Sequence, residues 1–151
     1  REHGIEGVVS FSDPRARENL HTGALVTPGH VGTIYPASNG VYLGRARAEA
    51  LRLLPDGTSL PRRSIAKVLA GDRGWRHVVA RLVREGAREP RCLEAGAADV
   101  LELRAWLAGW LPQLTRVVRH PGNHKYCWAL DKRLRRELPE GLAYPKRAVA
   151  A

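Results

Sequence analysis

The amino-acid sequence predicts an α+β fold in which strands near both ends of the chain flank a helical stretch. Residues 7–11 and 41–43 are short apolar runs bounded by turn residues, which is typical of strands. Residues 59–111 instead repeat apolar residues at the three- and four-residue spacing of amphipathic helices. With 151 residues, the chain is long enough for one cored domain. We expect that domain to cover residues 1–131, followed by a basic tail over 132–151.

The first third of the chain predicts two strands around a loop and a short helix. The strand over 7–11 ends at Asp13-Pro14, and the Gly- and Pro-punctuated residues 15–29 favour a loop. A short helix follows and is broken at Asn39-Gly40. The next strand places Val41 and Leu43 on one face and Tyr42 on the other. Residues 50–54 continue as a strand into a turn over 55–58.

Three helices and a closing hairpin are predicted for the remainder. The first helix is capped by Ser59 and ends at Gly71, and the second begins at Asp72 and ends at Gly86. The third covers 99–111, where Pro112 terminates it. Residues 114–119 and 125–130 then have strand character on either side of a Pro-Gly-Asn turn, which favours a β-hairpin.

The net charge of +10 is concentrated in two blocks. Residues 45–88 hold eleven Lys and Arg against four acidic residues, and residues 115–151 hold nine against three. This distribution favours a polyanionic partner, with nucleic acid first among the candidates; an Arg-rich composition is the alternative. The two short helices joined near Gly71 fit a helix-turn-helix or a solvated Arg-rich face. The predicted nucleic-acid-binding residues are Arg62, Arg63, Lys67, Arg73, Arg76, Arg119 and Lys125.

Cysteine usage and hydropathy predict a cytoplasmic protein. Cys92 and Cys127 are too few and too far apart for a disulfide scaffold, so we expect reduced thiols. The chain has neither the run of about 20 apolar residues needed to span a bilayer nor a secretory leader pattern. Because the first residues already have the character of a strand entry, we also expect a portion of the protein upstream of them.

Three residues are candidates for catalysis, each with a structural alternative. Tyr35 can supply a phenolic proton, or it can anchor its helix on the sheet. Asp13 follows a strand end, where ligands collect in open sheets, or it can cap its own turn. His30 can carry a proton at neutral pH, or it can be an ordinary loop histidine.

Two further groups are weaker candidates. Gly29, Gly32 and Thr33 can form a small anion-binding nest at a helix start, although loop flexibility explains a Gly-x-x-Gly pattern equally well. His120 and His124 lie four residues apart and can chelate a metal, but a polar turn is the stronger interpretation.

The stretch from Pro28 to Arg45 resembles the penultimate unit of the GNAT acyltransferase superfamily, in which an aromatic residue on a helix precedes a strand. Its Gly-His-Val-Gly-Thr-Ile-Tyr segment, with Ser12-Asp13-Pro14 upstream, is similar more narrowly to the bacteriophage Mom family. The segments His-Pro-Gly-Asn-His-Lys-Tyr at 120–126 and Tyr-Pro-Lys-Arg at 144–147 resemble the same family with less specificity. In two respects the chain departs from the pattern. Pro36 follows Tyr35, and no Gly-rich carrier-binding turn precedes Gly7.

This resemblance implies a GNAT-like mixed sheet, with a basic helical insert over about 59–111 and its N-terminal half outside the chain. It implies modification of adenine N6 in double-stranded DNA with a carbamoylmethyl-type group. Such a phage-encoded enzyme acts in the host cytoplasm and protects phage DNA from restriction. Acetyl-CoA or another acyl-CoA is the implied donor, and iron an implied cofactor. Asp13, His30 and Tyr35 would then line the pocket. The alternatives are a basic nucleic-acid-binding module without catalysis and a GNAT acyltransferase acting on another amine.

Overall fold

The computed structural model describes residues 4–146 and shows a mixed α+β architecture with antiparallel sheets, which confirms the predicted class. The chain divides into two compact units. Unit 1 contains the residues up to Ala16, Thr27–Glu49 and the chain from Arg119 onward, whereas unit 2 contains Arg17–Val26 and Ala50–Val118. A single domain over residues 1–131 stays a prediction.

The elements of the described chain alternate between short strands and helices. In chain order they are β1 (Gly7–Ser12), β2 (Arg17–Glu18), β3 (Leu25–Thr27), α1 (Ile34–Ala37), β4 (Val41–Arg45), β5 (Glu49–Leu53), α2 (Arg62–Ala70), α3 (Trp75–Arg84), α4 (Arg91–Glu94), α5 (Val100–Leu114), β6 (Arg116–His120), β7 (His124–Ala129) and α6 (Lys132–Glu137).

Unit 1 is built on a three-stranded antiparallel sheet with β7 between β1 and β4. Tyr126 of β7 lies opposite Ser10 on one side and Tyr42 on the other, and His124 lies opposite Ser12. The β4–β7 register shifts between Tyr42 and Arg45, which is the irregularity that a β-bulge produces. One end of the sheet therefore gathers the last residue of β1, the last residue of β4 and the first residue of β7.

A cluster of aromatic rings covers the inner face of this sheet. Tyr126 is fully buried, and its ring centroid lies 4.7 Å from that of Tyr35 and 5.1 Å from that of Tyr42. The Trp128 ring meets Tyr35 edge-on at 5.3 Å. The Tyr126 hydroxyl donates a hydrogen bond to the carbonyl oxygen of Val31. Tilted and edge-to-face contacts of this kind contribute beyond the apolar area they bury.

The predicted closing hairpin is wrong. Residues 116–120 and 124–129 are strands as expected, but β6 pairs with β5, whereas β7 pairs with β1 and β4. Both hydrogen-bonding edges of β7 are therefore occupied, and no edge is left for β6. At the turn over 121–123 the chain therefore passes from the β5–β6 sheet to the three-stranded sheet and does not close a hairpin.

Residues 15–29, predicted to be a loop, contain the short two-stranded sheet of β2 and β3. The turn between them is closed locally by Asn19, whose side-chain oxygen accepts hydrogen bonds from the backbone N–H groups of His21 and Thr22. Such an Asx-type turn reverses the chain without the Asn-Gly pair that marks tight hairpins. The loop prediction is wrong for β2 and β3 because the Asn19 side chain reverses the chain between them.

Helices α2, α3 and α5 enclose the core of unit 2, which consists of aliphatic side chains with one tryptophan, one alanine and one cysteine. Its buried members are Leu54, Leu60, Val68, Trp75, Val78, Val79, Leu82, Ala87, Cys92, Leu103 and Leu107. The prediction of helices in this region is confirmed, although α3 begins at Trp75 with Gly74 as its cap rather than at Asp72. The Asp72 carbonyl accepts the Trp75 N–H, so residues 72–74 form a turn before the helix.

Pro112 does not terminate the third predicted helix, because α5 continues to Leu114. Proline costs a helix one N–H donor, which would otherwise pair with a carbonyl four residues back. Pro112 is exposed and lies in the last turn, where water can satisfy that carbonyl. Side chains satisfy two neighbouring carbonyls: Gln113 donates to Gly109 at 2.8 Å, and Thr115 donates to Leu111.

The predicted basic tail begins with helix α6 and continues over β4. The Asp131 carboxylate caps α6 by accepting the Leu134 N–H at 2.7 Å. Further on, the Leu142 N–H donates to the Tyr42 carbonyl at 2.9 Å, and the Tyr144 hydroxyl donates to the Gly40 carbonyl at 2.9 Å. Residues 147–151 of the predicted tail, including Arg147, lie outside the described residues. None of the helices within residues 4–146 is long and apolar enough to cross a bilayer.

Truncation of Leu103 is expected to destabilise unit 2. Leu103 is 0% exposed in the core, so Leu103→Ala should lower the free energy of unfolding by about 2–5 kcal/mol. Leu101 lies on the same helix but is 79% exposed. Leu101→Ala should therefore change the free energy of unfolding by no more than about 0.5 kcal/mol. Urea denaturation of both variants checks this. Equal losses would contradict the assignment of the core.

Gly122, in the turn between β6 and β7, is expected to tolerate no side chain. Its φ is +91°, and a Cβ there would lie 2.0 Å from the carbonyl oxygen of Ala46. Gly122→Ala should therefore cost about 2–4 kcal/mol of unfolding free energy, from left-handed strain plus the clash. Gly4 also has positive φ but open space around it, and Gly4→Ala should cost about 1–2 kcal/mol. Chemical denaturation measures the free energy of unfolding of both variants. An equal loss in the two would refute the predicted clash between a Cβ at Gly122 and the Ala46 carbonyl.

Candidate functional site

Asp13 lies immediately beyond β1 and is held by a buried imidazole. Its Oδ1 lies 2.8 Å from Nε2 of His120, whose side chain is only 3% exposed. The Gly122 N–H donates to Nδ1 of the same ring at 3.1 Å, so Nδ1 is an acceptor and the ring hydrogen is on Nε2. His120 therefore donates to the carboxylate, and the Arg15 N–H donates to it as well at 2.9 Å. The carboxylate is fixed in orientation while its side chain stays 23% exposed.

His30 reaches Asp13 through the backbone. Its N–H donates to the Asp13 carbonyl at 2.8 Å, whereas its side chain is exposed. The structure thus brings His30 beside Asp13, but the imidazole on the carboxylate is that of His120. Sequence reasoning considered His120 as part of a polar turn or as a metal ligand, and not as the partner of Asp13. The Pro-Gly pair after His120 indicates a turn whose Gly122 N–H can reach the ring, but it carries no signal that the partner of the ring is Asp13.

Tyr35 lies in α1, which is a single helical turn and confirms the short helix predicted before Asn39-Gly40. The Ser10 hydroxyl donates to the Tyr35 hydroxyl at 3.0 Å, so the phenolic hydrogen of Tyr35 is not used in that bond. Asp13 lies three residues beyond Ser10, which is about 10 Å along an extended strand. Two of the three predicted catalytic residues are therefore held at the same strand.

Gly29, Gly32 and Thr33 form a loop whose inner space is filled by the protein. Gly29 and Gly32 both have positive φ. A Cβ at Gly32 would lie 2.5 Å from the Tyr35 ring, and one at Gly29 would lie 2.7 Å from the Ala16 nitrogen. Close packing within the chain is thus sufficient to explain both glycines. The loop does not form an empty cradle for a phosphate, and the predicted cofactor role of these residues stays a prediction.

His124 and Tyr42 form a second buried polar pair at the same end of the sheet. His124 Nδ1 lies 2.7 Å from the Tyr42 hydroxyl, and both side chains are buried. Burial lowers the pKa of His124 below its ordinary value of 6.5, and the positive charge of Arg45 lowers it further. This imidazole is therefore neutral at pH 7.

Tyr126 connects these groups from the middle of β7. Burial raises the pKa of its phenol above 10, and the neighbouring phenols of Tyr42, Tyr35 and Tyr144 raise it further, while the Ser12 hydroxyl acts in the opposite direction. The phenol consequently stays protonated and remains a donor to the backbone. Its role is to hold the loop before α1 against the sheet.

The predicted nucleic-acid-binding residues are distributed over both units. In unit 2, Arg62, Arg63 and Arg73 are exposed and Lys67 is half-buried. Arg76 is exposed too, but its guanidinium donates to the Gly96 carbonyl and lies 5.6 Å from the centre of the Trp75 ring, which gives it a packing role. In unit 1, Arg119 is exposed and Lys125 is half-buried.

The described side chains offer little to a metal ion. Over residues 4–146, no three His, Cys, Asp or Glu side chains are grouped so that they could hold one. His120 and His124 each use a ring nitrogen for a hydrogen bond to a protein side chain. Cys92 and Cys127 are both buried as free thiols, one in each unit.

Comparison of the chain with protein-family models, with curated proteins and with solved structures gives no match.

Folding lowers the pKa of His124, so the contribution of this residue to the free energy of unfolding is expected to depend on pH. The unfolded chain binds the proton more tightly, so the contribution is complete above about pH 6.5 and is lost as the pH falls through the folded pKa. Each proton adds a slope of at most about 1.4 kcal/mol per pH unit. His124→Gln should flatten the pH dependence of unfolding free energy between pH 7 and 5. His30→Gln, at an exposed position, should leave the slope unchanged; equal slopes in both variants and the wild type would refute the assignment.

Proposed function

We propose that this chain is the base-modifying part of a Mom-like enzyme that alters the N6 amino group of adenine in DNA. The observation that carries the proposal is the Asp13 carboxylate, fixed by buried His120 at the end of the strand that also holds Tyr35 through Ser10. These residues belong to the segment that resembles the Mom family. A GNAT-like fold is part of the same proposal.

The proposed role of Asp13 follows from its fixed, partly exposed carboxylate. A carboxylate oxygen accepts a hydrogen of the adenine amino group and so orients the nitrogen lone pair toward an electrophile. Because His120 donates through Nε2 and accepts through Nδ1, it has no ring nitrogen left for the substrate. It acts on the reaction only by positioning Asp13.

Tyr35 would complete the site as a proton donor. Its hydroxyl accepts from Ser10, so its own hydrogen can be given to a group that departs with negative charge. The rings of Tyr126 and Trp128 hold the phenol in place. An acyl-CoA carrier would supply the electrophilic group when bound, but the Gly29–Gly32 loop is packed by the chain itself and offers no cradle for it. The side chains of residues 4–146 do not form a three-ligand group for iron.

Recognition of DNA in this proposal rests on the exposed basic side chains. Arginines contact phosphates without reading sequence, and each contact adds a salt-dependent increment to affinity. Adenine N6 is inaccessible to this chemistry within the stacked duplex, so the base must be flipped out before it reaches Asp13. The exposed arginines Arg62, Arg63 and Arg73 also favour the second candidate, a basic DNA-binding module without catalysis.

Nucleoside mass spectrometry of DNA from cells that express the complete reading frame tests this function. We expect an adenine adduct with the wild-type protein, and at least about a 100-fold lower level with Asp13→Asn or Tyr35→Phe, since general acid–base groups contribute at least that factor. Asp72→Asn, at an exposed turn of unit 2, is the matched control and should leave the adduct level unchanged.

The second candidate predicts different results in the same experiment. The binding module predicts that the DNA is unmodified in every sample. It also predicts salt-dependent DNA binding that Asp13→Asn and Tyr35→Phe leave intact. These two results together would favour the binding module over the enzyme. An adduct that persists in both variants would refute the assigned roles of the two residues.

A further inference from the structure

Unit 2 has a groove on its surface between helix α5 and the segment over residues 88–94. The volume of this α5 groove is about 460 Å³, which falls within the range of ligand-binding clefts. Glu102, Trp106 and Trp110 form one wall, because residues spaced four apart lie on the same face of a helix. All the lining residues belong to unit 2, and none takes part in the reaction proposed at Asp13.

Hydrogen bonds between its own walls hold the α5 groove in shape. The indole N–H of Trp106 donates to the Arg88 carbonyl at 2.6 Å, which fixes the plane of that ring. One turn away, the Glu102 carboxylate accepts the N–H of Arg91 at 2.6 Å and the N–H of Cys92 at 3.0 Å. The negative charge of Glu102 is therefore used within the protein. A groove formed before binding spares a ligand the cost of ordering its walls.

The aromatic wall is suited to flat rings. Trp106 and Trp110 are half-buried, so each indole packs against the core of unit 2 and is partly exposed in the α5 groove. Four helical residues separate the two side chains by about 6 Å along the helix axis. Fixed aromatic side chains at a surface are platforms on which nucleobases stack, whatever the sequence. Two such platforms in a row can take successive bases of one strand.

The charged side chains at the edge of the α5 groove are balanced. Arg88 and Arg91 are exposed, and neither guanidinium is paired within residues 4–146. Glu89 and Glu94 are exposed beside them, so phosphate groups alone gain little here. Residues 50–118 as a whole hold twelve Lys and Arg against seven acidic residues, which favours an anionic partner for this unit. The α5 groove therefore suits a ligand that carries both flat rings and phosphates.

We propose that the α5 groove binds single-stranded nucleic acid, with unpaired bases on Trp106 and Trp110 and phosphates on Arg88 and Arg91. Bases that are paired and stacked within a duplex are not available to an indole, so the site distinguishes a single strand from a duplex. The inference goes beyond the proposed function, because this site shares no residue with the one at Asp13.

Titration of the full chain with a single-stranded oligodeoxyadenylate tests the site. We expect saturable quenching of tryptophan fluorescence, because a base stacked on an indole quenches its emission. An abasic strand of equal length has the same phosphates without bases. It should bind at least about 5-fold more weakly and should not quench, since stacking contributes at least that factor per base. The corresponding duplex should not quench either, and dAMP should bind at least about 5-fold more weakly than the strand.

A pair of variants at Trp110 separates stacking from packing. Trp110→Leu keeps an apolar side chain but removes the ring, and it should weaken binding of the labelled strand at least about 5-fold in fluorescence anisotropy. Trp110→Phe keeps an aromatic face and should bind the strand more tightly than Trp110→Leu. Both variants lose packing volume, so thermal unfolding of the two shows whether the folded unit is retained.

A second pair of variants tests the phosphate contact without touching the core. Arg88→Gln should lower the slope of log affinity against log salt concentration by about 0.7, the value for one phosphate of a single strand. Arg104→Gln is the matched control. Arg104 is exposed on α5 two residues from both Glu102 and Trp106, and so does not share their face. The control loses the same charge and should leave the slope unchanged.

The outcomes decide the inference independently of the proposed function. Equal binding of the intact and the abasic strand would overturn it, as would quenching by the duplex equal to that by the single strand. A mononucleotide that binds as tightly as the strand would overturn the strand as the occupant. Equal affinities of Trp110→Leu and Trp110→Phe would refute stacking at this position. Asp13→Asn should bind the strand like the wild type, so failure of the adduct experiment leaves the site in place.

Discussion

The double pairing of β7 is the constraint on which unit 1 depends. A strand hydrogen-bonded on both edges fixes the register of β1 on one side and of β4 on the other. Alternation along β7 then buries Tyr126 and His124 on the same face as Tyr42. Everything at that end of the sheet, including Asp13 and the turn at 121–123, takes its position from this one strand.

The fold class and the local elements were predictable, because they follow from short-range patterns. The strand at 7–12, the short helix carrying Tyr35 and the helices of unit 2 agree with their apolar spacing. Gly71 ends α2 as predicted, whereas Pro112 lies within the last turn of α5. Strand pairing was not predictable in the same way. Nothing local distinguishes a β6–β7 hairpin from two strands that join different sheets, because the decision is made by distant partners such as Ser10 and Tyr42.

The same limit applies to the site. Asp13 and Tyr35 were accessible from sequence because the stretch from Pro28 to Arg45 and the Asp-Pro pair are compact motifs. The partner of Asp13 was not accessible, since His120 lies 107 positions away and competes in the sequence with the nearer His30. The use of each imidazole nitrogen depends on bonds to Gly122 and Tyr42, which only the assembled sheet provides.

The division of the chain into interleaved segments has a kinetic consequence. The contacts of unit 1 join residues 82 and 107 positions apart, whereas most of unit 2 is one continuous stretch from Ala50 to Val118. Closing so long a loop before any contact forms is slow, and topologies rich in non-local contacts fold slowly for this reason. Early folding of the helical stretch would shorten the loop that the sheet has to close. The helical stretch of unit 2 is then the element whose early folding speeds the assembly of the three-stranded sheet.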